Sequence, residues 1–561
     1  MKKIIAPLAL LALTFALRLP GLKSFVAVDE PAWLTRGANF YYALGQREFE
    51  HTISEYHPSV PTMWYVAAAT WMEFPEFRGL GQGYFDFDKE TFDPFLRAHG
   101  KDPLQILFLA RIMQIAVISL TILAVYELLK KMMSAEQAFF ASAFISTSPY
   151  FLGHSRILSH EGMTAIFVGA SLLALMVYLE WERKWYFLAT SAAFAALAQL
   201  TKSSAIAMTP AVGLMFVWAV FARAKADGFF RALFSHLKVF AAWLALLALT
   251  YVLAWPAMWV APDKALYEVY GNAFSYAFQG GRLEVTQELQ PAQFQLASAG
   301  GAAWSFVAQI FQRSSLWAWL GAAWSVLFLF GRGENAYKKI FLYFSVTAAA
   351  FILLFSAAQG RNSAHYVMTS HVNVNLLAAL GWLQALRWLG STWKPAARWK
   401  TAALILILLA QTAETLPYFP YFYNYSNPLT RPALSDYGEG FEQAAAYLAA
   451  KPNADELTTF SYRGRGAFSY FFPGKTLLVN PLFFDEPRMD SVSERLRQSD
   501  YLVINDAFTK RSPRIAAFAA ALNQFSAPEK DLRAKNAYVI HIYYVKDLPP
   551  EFYKAIESIA P

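Results

Sequence analysis

Residues 104–128, LQILFLARIMQIAVISLTILAVYEL, decide the class of this protein. A helix needs about 20 apolar residues to cross the hydrocarbon core of a bilayer, and this segment is long enough. Similar apolar runs recur over the first 416 residues, which predicts a polytopic helical membrane protein. We count about 11 spans on this criterion, at residues 4–19, 104–128, 136–152, 161–179, 185–200, 205–222, 238–256, 314–330, 340–358, 366–386 and 400–416.

The composition supports this class. Of the 561 residues, 56% are hydrophobic and only 16% are charged, whereas soluble domains carry about 25% charged residues. The net charge of +8 comes from basic residues that cluster between the apolar runs, so we interpret it as a topology signal and expect no nucleic-acid partner. The chain has no cysteine, so cysteine usage says nothing about its redox compartment.

The basic residues also predict an orientation. They follow alternate spans, as in Lys130-Lys131 and Arg183-Lys184, which places those loops and the N-terminus in the cytoplasm. We expect the first span to be retained, because Arg18 stands where small residues would mark a signal-peptide cleavage site. The apolar segment 61–74 is short for a crossing, and we interpret it as a helix at the outer interface.

The composition changes after the last span. Residues 417–561 are more charged and alternate between strand-like and helix-like segments. We expect strands at 456–462, 475–480, 501–504 and 537–545, and helices at 439–450, 492–499 and 514–525. The sequence therefore predicts a transmembrane domain, 1–416, with a first outer loop at 20–103, and an extracytoplasmic α/β domain, 417–561.

The acidic pair Asp29-Glu30 opens the first outer loop. A carboxylate at the mouth of a membrane protein can act as a general base on an acceptor hydroxyl. The alternative is that Asp29 caps a helix starting at Pro31. Both can hold if Glu30 caps the helix while Asp29 faces a cavity.

Other ionisable residues also fall at the outer ends of the predicted spans. Charges inside spans are costly and usually face a partner or a polar cavity, although Lys and Arg can also extend to the interface. Their convergence on one side predicts an outward-facing polar site. The set comprises Asp29, Glu30, Glu55, His57, Arg111, His154, Arg156, His160, Glu161, Lys202, Arg361, His365 and His371.

Two groups in this set suggest ligands. His160 and Glu161 could bind a divalent metal, although two ligands do not define a site, and Ser159 could instead cap the helix that they begin. Lys202 and Arg361 each place a cation at a span boundary, where a phosphate would find charge-assisted hydrogen bonds. Because no nucleotide fingerprint is present, we expect a lipid-borne phosphate.

These motifs occur in an order that resembles a family. The chain is similar to the polytopic glycosyltransferases of the GT-C fold, and most similar to the bacterial protein O-mannosyltransferase and aminoarabinose transferase superfamily. The segment PYFPYFYNYSN at 417–427, followed by Gly438-Glu439-Gly440, also resembles bacterial members with an exported C-terminal domain. The resemblance is carried by Asp29-Glu30, His57-Pro58, Arg111, Glu161, Thr201-Lys202 and Trp255-Pro256 to Trp259.

The resemblance implies a reaction. A polyprenyl-phosphate sugar would be the donor, Asp29 the general base and Glu30 its support, in the bacterial cytoplasmic membrane. It implies donor-phosphate binding by His57, Arg111, Lys202 and Arg361, and leaves Glu55, His160, Glu161 and His365 as candidates for contacting the acceptor or a divalent metal. An acceptor protein, lipid or glycan and the membrane lipids would be the partners.

Three positions depart from the family pattern. Glu161 replaces an Asp after the third span, His365 precedes Tyr366 where relatives often have Arg, and His57 replaces a Lys. These departures bear on the acceptor and on metal use. The competing hypothesis is a lipid or solute transporter, or flippase, with an exported binding domain. Transporters place their ionisable residues near the bilayer midplane and often contain repeats, neither of which this sequence shows.

Overall fold

The computed structural model describes residues 2–54, 57–87, 89, 91–271, 273, 296–329, 335–358, 362–484 and 489–559. Glu55 and Arg361, two of the predicted site residues, lie outside the described residues. The chain divides into two compact units. The helical unit comprises Met1–Pro20, Arg36–Tyr84 and Leu109–Arg431, and the sheet unit comprises Gly21–Thr35, Phe85–Phe108 and Pro432–Pro561.

Helices dominate the described residues. Those in the first half of the chain are Lys2–Arg18, Glu30–Gln46, Val60–Glu73, Phe92–Ala98, Pro103–Leu129, Ala135–Thr147, Pro149–His154, His160–Met176, Trp185–Thr201, Thr209–Asp227, Phe229–Ala254, Ala257–Val260 and Pro262–Leu266. Those that follow are Leu296–Arg313, Leu316–Leu329, Asn335–Ala357, Met368–Thr392, Lys394–Thr415, Phe441–Ala449, Met489–Arg497, Asp506–Thr509, Pro513–Phe525 and Pro550–Glu557.

The long apolar helices confirm the predicted membrane class. Within the described part of the chain, six helices are long and apolar enough to cross a bilayer, and Ile4–Arg18 and Leu316–Leu329 are shorter apolar helices. The predicted count of about 11 spans stays a prediction. The six are Pro103–Leu129, His160–Trp181, Ser203–Asp227, Phe229–Ala254, Ala336–Ala357 and Ala397–Tyr418.

The span predicted at 136–152 is not one continuous helix. Ala135–Thr147 ends before Ser148, and Pro149 begins a second short helix that ends at His154. Proline has no N–H to continue the helical ladder but fits the first turn of a new helix. The break therefore follows from Pro149, a signal that the apolar composition of the segment concealed.

The apolar helices differ in how much of their surface the helical unit covers. His160–Trp181 is 89% buried over its most apolar window, whereas Phe229–Ala254 is 11% buried. An apolar helix that stays exposed in a folded chain is suited to contact with lipid. The helix that begins with His160 and Glu161 therefore lies at the centre of the helical unit.

Helices Leu316–Leu329 and Met368–Thr392 cross at two glycines. A Cβ atom on Gly381 would lie 1.9 Å from the carbonyl oxygen of Gly321, far inside van der Waals contact. Small residues at a crossing let helix backbones approach closely, as is common in membrane bundles. This crossing packs the helix that carries His371 against its neighbour.

The sheet unit contains the predicted α/β fold. In the described residues a five-stranded sheet has the order β2-β1-β3-β5-β4, formed by β1 (Thr458–Ser461), β2 (Lys475–Leu478), β3 (Tyr501–Asn505), β4 (Lys530–Leu532) and β5 (Ile540–Tyr544). Strand β1 runs parallel to β2 and β3, whereas β5 pairs antiparallel with β3 and β4. Strand β4 was not predicted, because its three residues are too short and too polar to show alternation.

Candidate active site

Asp29 and Glu30 make different contacts at the start of helix Glu30–Gln46. The Glu30 carboxylate accepts the N–H of Ala27 at 2.7 Å and is buried, so it closes the turn that precedes the helix. The Asp29 carboxylate accepts the hydroxyl of Tyr437 at 2.8 Å. The two acids are therefore held by separate donors, and the Asp29 carboxylate has a neutral hydroxyl as a partner.

Backbone contacts hold the residues around Asp29 against the C-terminal segment of the sheet unit. The N–H of Val28 donates to the carbonyl of Tyr437 at 3.1 Å. Gly438 has φ +105°, and a Cβ atom there would lie 3.0 Å from the carbonyl oxygen of Val26. Glycine is required here because it tolerates both the positive φ and the close approach.

A second anchor lies one turn into the same helix. Arg465 donates to Thr35 Oγ1 at 2.7 Å and also to the carbonyl of Phe87. Its guanidinium is 3.8 Å from Asp93, which in turn accepts the hydroxyl of Tyr470 at 2.9 Å. Burial raises the pKa of Asp93, although Arg465 and Tyr470 act in the opposite direction. These contacts join three separate stretches of the chain into the sheet unit.

A buried ion pair lies in the helical unit. The Lys202 ammonium is 2.9 Å from the Glu161 carboxylate, and the two side chains are 4% and 12% exposed. The Ser159 hydroxyl donates to Glu161 at 2.6 Å and makes no bond to the helix backbone, so the interpretation of Ser159 as a side-chain cap is wrong. Lys202 also faces Tyr366 and Phe355, with its nitrogen 4.9 and 5.7 Å from the ring centroids.

Histidines surround this pair. The rings of His160 and His57 are 6.5 Å apart, and those of His154 and His365 are 6.2 Å apart. His160, His154 and His365 all interact electrostatically with Glu161. The helical unit therefore gathers six of the predicted site residues, namely His57, His154, His160, Glu161, Lys202 and His365.

Binding of a divalent metal is one of the roles predicted for residues of this cluster. Among the residues that the structure describes, no three His, Asp or Glu side chains are grouped to hold a metal ion. The Glu161 carboxylate instead has Lys202 and Ser159 as its hydrogen-bond donors.

Arg111 is buried in helix Pro103–Leu129, where its charge interacts with Arg156. Arg156 donates to the carbonyl groups of Arg18 and Pro420, both at 3.0 Å. Gln114, one turn after Arg111, donates to the carbonyl of Ile157. Arg111 thus lies beside the loop that leads into helix His160–Met176.

Two residues of these clusters were missed from the sequence. Arg36 is buried, and its charge interacts with His160. Its position about two helical turns after Asp29 was the available signal. Tyr437 had no local signal beyond its place directly before Gly438-Glu439-Gly440, because its contact with Asp29 spans 408 residues.

Part of the chain matches a known family. Residues 106–259 match the family described as dolichyl-phosphate-mannose-protein mannosyltransferase. For this segment the match confirms the resemblance to the O-mannosyltransferase superfamily that the motifs predict. No curated protein matches this sequence.

Three solved structures illustrate the structural comparison. ArnT from Cupriavidus metallidurans bound to undecaprenyl phosphate is 12% identical with a TM-score of 0.48, over 95% of this chain and 97% of that chain. The Archaeoglobus fulgidus oligosaccharyltransferase complex with Zn and sulfate is 12% identical with a TM-score of 0.45, over 97% and 74%. The S. cerevisiae protein O-mannosyltransferase complex bound to the sugar donor is 14% identical with a TM-score of 0.35, over 52% and 38%.

Proposed function

We propose that this chain is a membrane glycosyltransferase that moves a sugar from a polyprenyl-phosphate donor to an acceptor on the outer face of the bacterial cytoplasmic membrane. The apolar helices and the family match of residues 106–259 support this class. One observation supports the role of Asp29 as the general base: the Tyr437 hydroxyl donates a hydrogen bond to its carboxylate at 2.8 Å. The carboxylate that accepts this hydroxyl has further lone pairs available for a substrate proton.

The proposed reaction is a displacement at the anomeric carbon. An acceptor hydroxyl oxygen forms the new bond to this carbon while the bond from the carbon to the phosphate oxygen breaks. Asp29 takes the proton of the hydroxyl, and the polyprenyl phosphate leaves with the bonding electrons. Glu30 supports Asp29 by closing the turn that precedes the helix.

Cations would stabilise the leaving phosphate, where negative charge grows in the transition state. We assign this role to Lys202, Arg111, His57 and Arg361. The Lys202 ammonium has three N–H donors, so it could bind a phosphate oxygen while it keeps its bond to Glu161. His160, Glu161, His365 and Glu55 are the remaining candidates for contact with the acceptor or a divalent metal.

The test uses protein in lipid with a panel of polyprenyl-phosphate sugars and an acceptor extract. We expect Asp29→Asn to lower the release of polyprenyl phosphate by about 10²- to 10⁴-fold, the usual contribution of a general base. Asp455→Asn removes an exposed carboxylate of the sheet unit and is the control, with release unchanged.

Two outcomes would contradict the proposal. Full release by Asp29→Asn would show that Asp29 is not the base. No release by wild-type protein from any donor, with binding or transport that does not depend on Asp29, would favour a transporter with an exported binding domain.

A further inference from the structure

The segment that carries Tyr437 is held at one edge of the sheet. Strands β1 and β3 are parallel neighbours, and residues at their carboxyl ends bind Asp436. The carboxylate accepts the Tyr462 hydroxyl at 3.0 Å, an Arg463 N–H at 2.7 Å and an Asn505 amide N–H at 2.9 Å. The carboxyl edge of parallel strands is where α/β proteins commonly position functional groups.

At this edge of the sheet, the Arg463 guanidinium interacts with two carboxylates. Arg463 adopts a left-handed conformation, φ +54°, that residues with a side chain rarely take. Burial opposes its charge, but Asp436 and Asp29 favour it, and the pKa of Arg463 is raised overall. Arg463 therefore stays a cation that interacts with both Asp436 and Asp29.

Tyr437, the residue after the sheet-anchored Asp436, contacts both the backbone next to Asp29 and the Asp29 side chain. Its carbonyl accepts the N–H of Val28, and its hydroxyl donates to the Asp29 carboxylate. One residue thus binds the backbone just before Asp29 and the side chain of Asp29 itself. The close approach of Gly438 to Val26 holds the two segments together on the other side.

We propose that Tyr437 is a positioning residue for the general base. Its hydroxyl holds the Asp29 carboxylate in one orientation, and Asp436 ties Tyr437 to the carboxyl edge of the sheet. The inference rests on the proposed function and adds to it a role for the sheet unit in the chemical step. A base must lie within hydrogen-bond reach of the proton, and a displacement of 1 Å can cost a rate factor of about 10².

The test is Tyr437→Phe, which removes only the hydroxyl. We expect kcat for sugar transfer to fall by about tenfold or more, with the KM for the donor unchanged, because the hydroxyl acts on the base and not on the donor. The matched control is Tyr447→Phe in the same unit, which removes a hydroxyl that donates to Glu529 at 2.5 Å. This control should keep the wild-type kcat.

A double-mutant cycle separates positioning from a structural role. In an Asp29→Glu background the carboxylate is already displaced, so Tyr437→Phe should cost much less than it does in the wild type. An unchanged kcat for Tyr437→Phe, or the same loss in both backgrounds, would overturn the inference. Asp29→Asn with wild-type activity would instead overturn the proposed function, whatever Tyr437→Phe does.

Discussion

At the residue scale, the pairing of Lys202 with Glu161 links two residues that the sequence assigned to different ligands. Lys202 was predicted to bind the donor phosphate, and Glu161 to contact the acceptor or a metal. The structure places their charged groups 2.9 Å apart inside the helical unit. A ligand that binds the Lys202 ammonium therefore has to share it with the Glu161 carboxylate.

Removing one partner of this pair should be costly. We expect Lys202→Met to lower the free energy of unfolding by about 3–5 kcal/mol, because Glu161 would stay buried without its ammonium partner. Thermal unfolding in detergent measures the change. Adding Glu161→Gln should recover most of the stability, while sugar transfer stays low if Lys202 binds the leaving phosphate.

An exposed pair provides the control for this prediction. Lys130 lies 2.9 Å from Glu127, but the two side chains are 31% and 50% exposed. Exposed ion pairs contribute about 0–1 kcal/mol, so Lys130→Met should change the unfolding midpoint little. If Lys202→Met changed the unfolding midpoint as little as Lys130→Met, Glu161 would have to be solvated in the folded protein.

At the element scale, the start of helix Glu30–Gln46 depends on a glycine far away in the chain. Gly466 has φ +73°, and a Cβ atom there would lie 2.3 Å from Pro31 Cγ. Two costs therefore combine at this position, the positive φ and the contact with the first turn of the helix that follows Asp29.

Substitution of Gly466 should lower the stability of the protein through both effects. We expect Gly466→Ala to lower stability by about 1–2 kcal/mol for the left-handed backbone and by a further 1–3 kcal/mol for the contact. Gly100→Ala is the matched control, because Gly100 has φ +69° with nothing within 4 Å of the added atom. Equal thermal midpoints for the two variants would mean that Pro31 moves aside without cost.

At the scale of the whole molecule, the orientation in the membrane stays a prediction from the basic loops. The chain has no cysteine, so single introduced cysteines report their own side of the membrane. We expect Asp455→Cys to react with an impermeant maleimide in spheroplasts, and Lys225→Cys to react only after permeabilisation. Both side chains are exposed. The reverse labelling pattern would invert the predicted topology.

The extent to which the sequence predicts the fold varies along the chain. Long apolar runs and regular alternation predicted most helices and four of the five strands that the described residues contain. The break at Pro149 and the short edge strand Lys530–Leu532 were missed, because a hydrophobic pattern averages over several residues. Tyr462 and Tyr470 are buried in the sheet unit.

The sequence by itself determined the membrane class, the α/β character of the C-terminal region and the types of residue available for chemistry. These properties depend on the length, periodicity and charge of local segments, which a linear chain displays directly. Only the tertiary structure decided which residues meet: Tyr437 with Asp29 across 408 positions, and Lys202 with Glu161 across 41. Such contacts depend on how helices and strands pack. Close packing brings together residues that are far apart in the chain, and the local sequence around each residue does not indicate which partner it will contact.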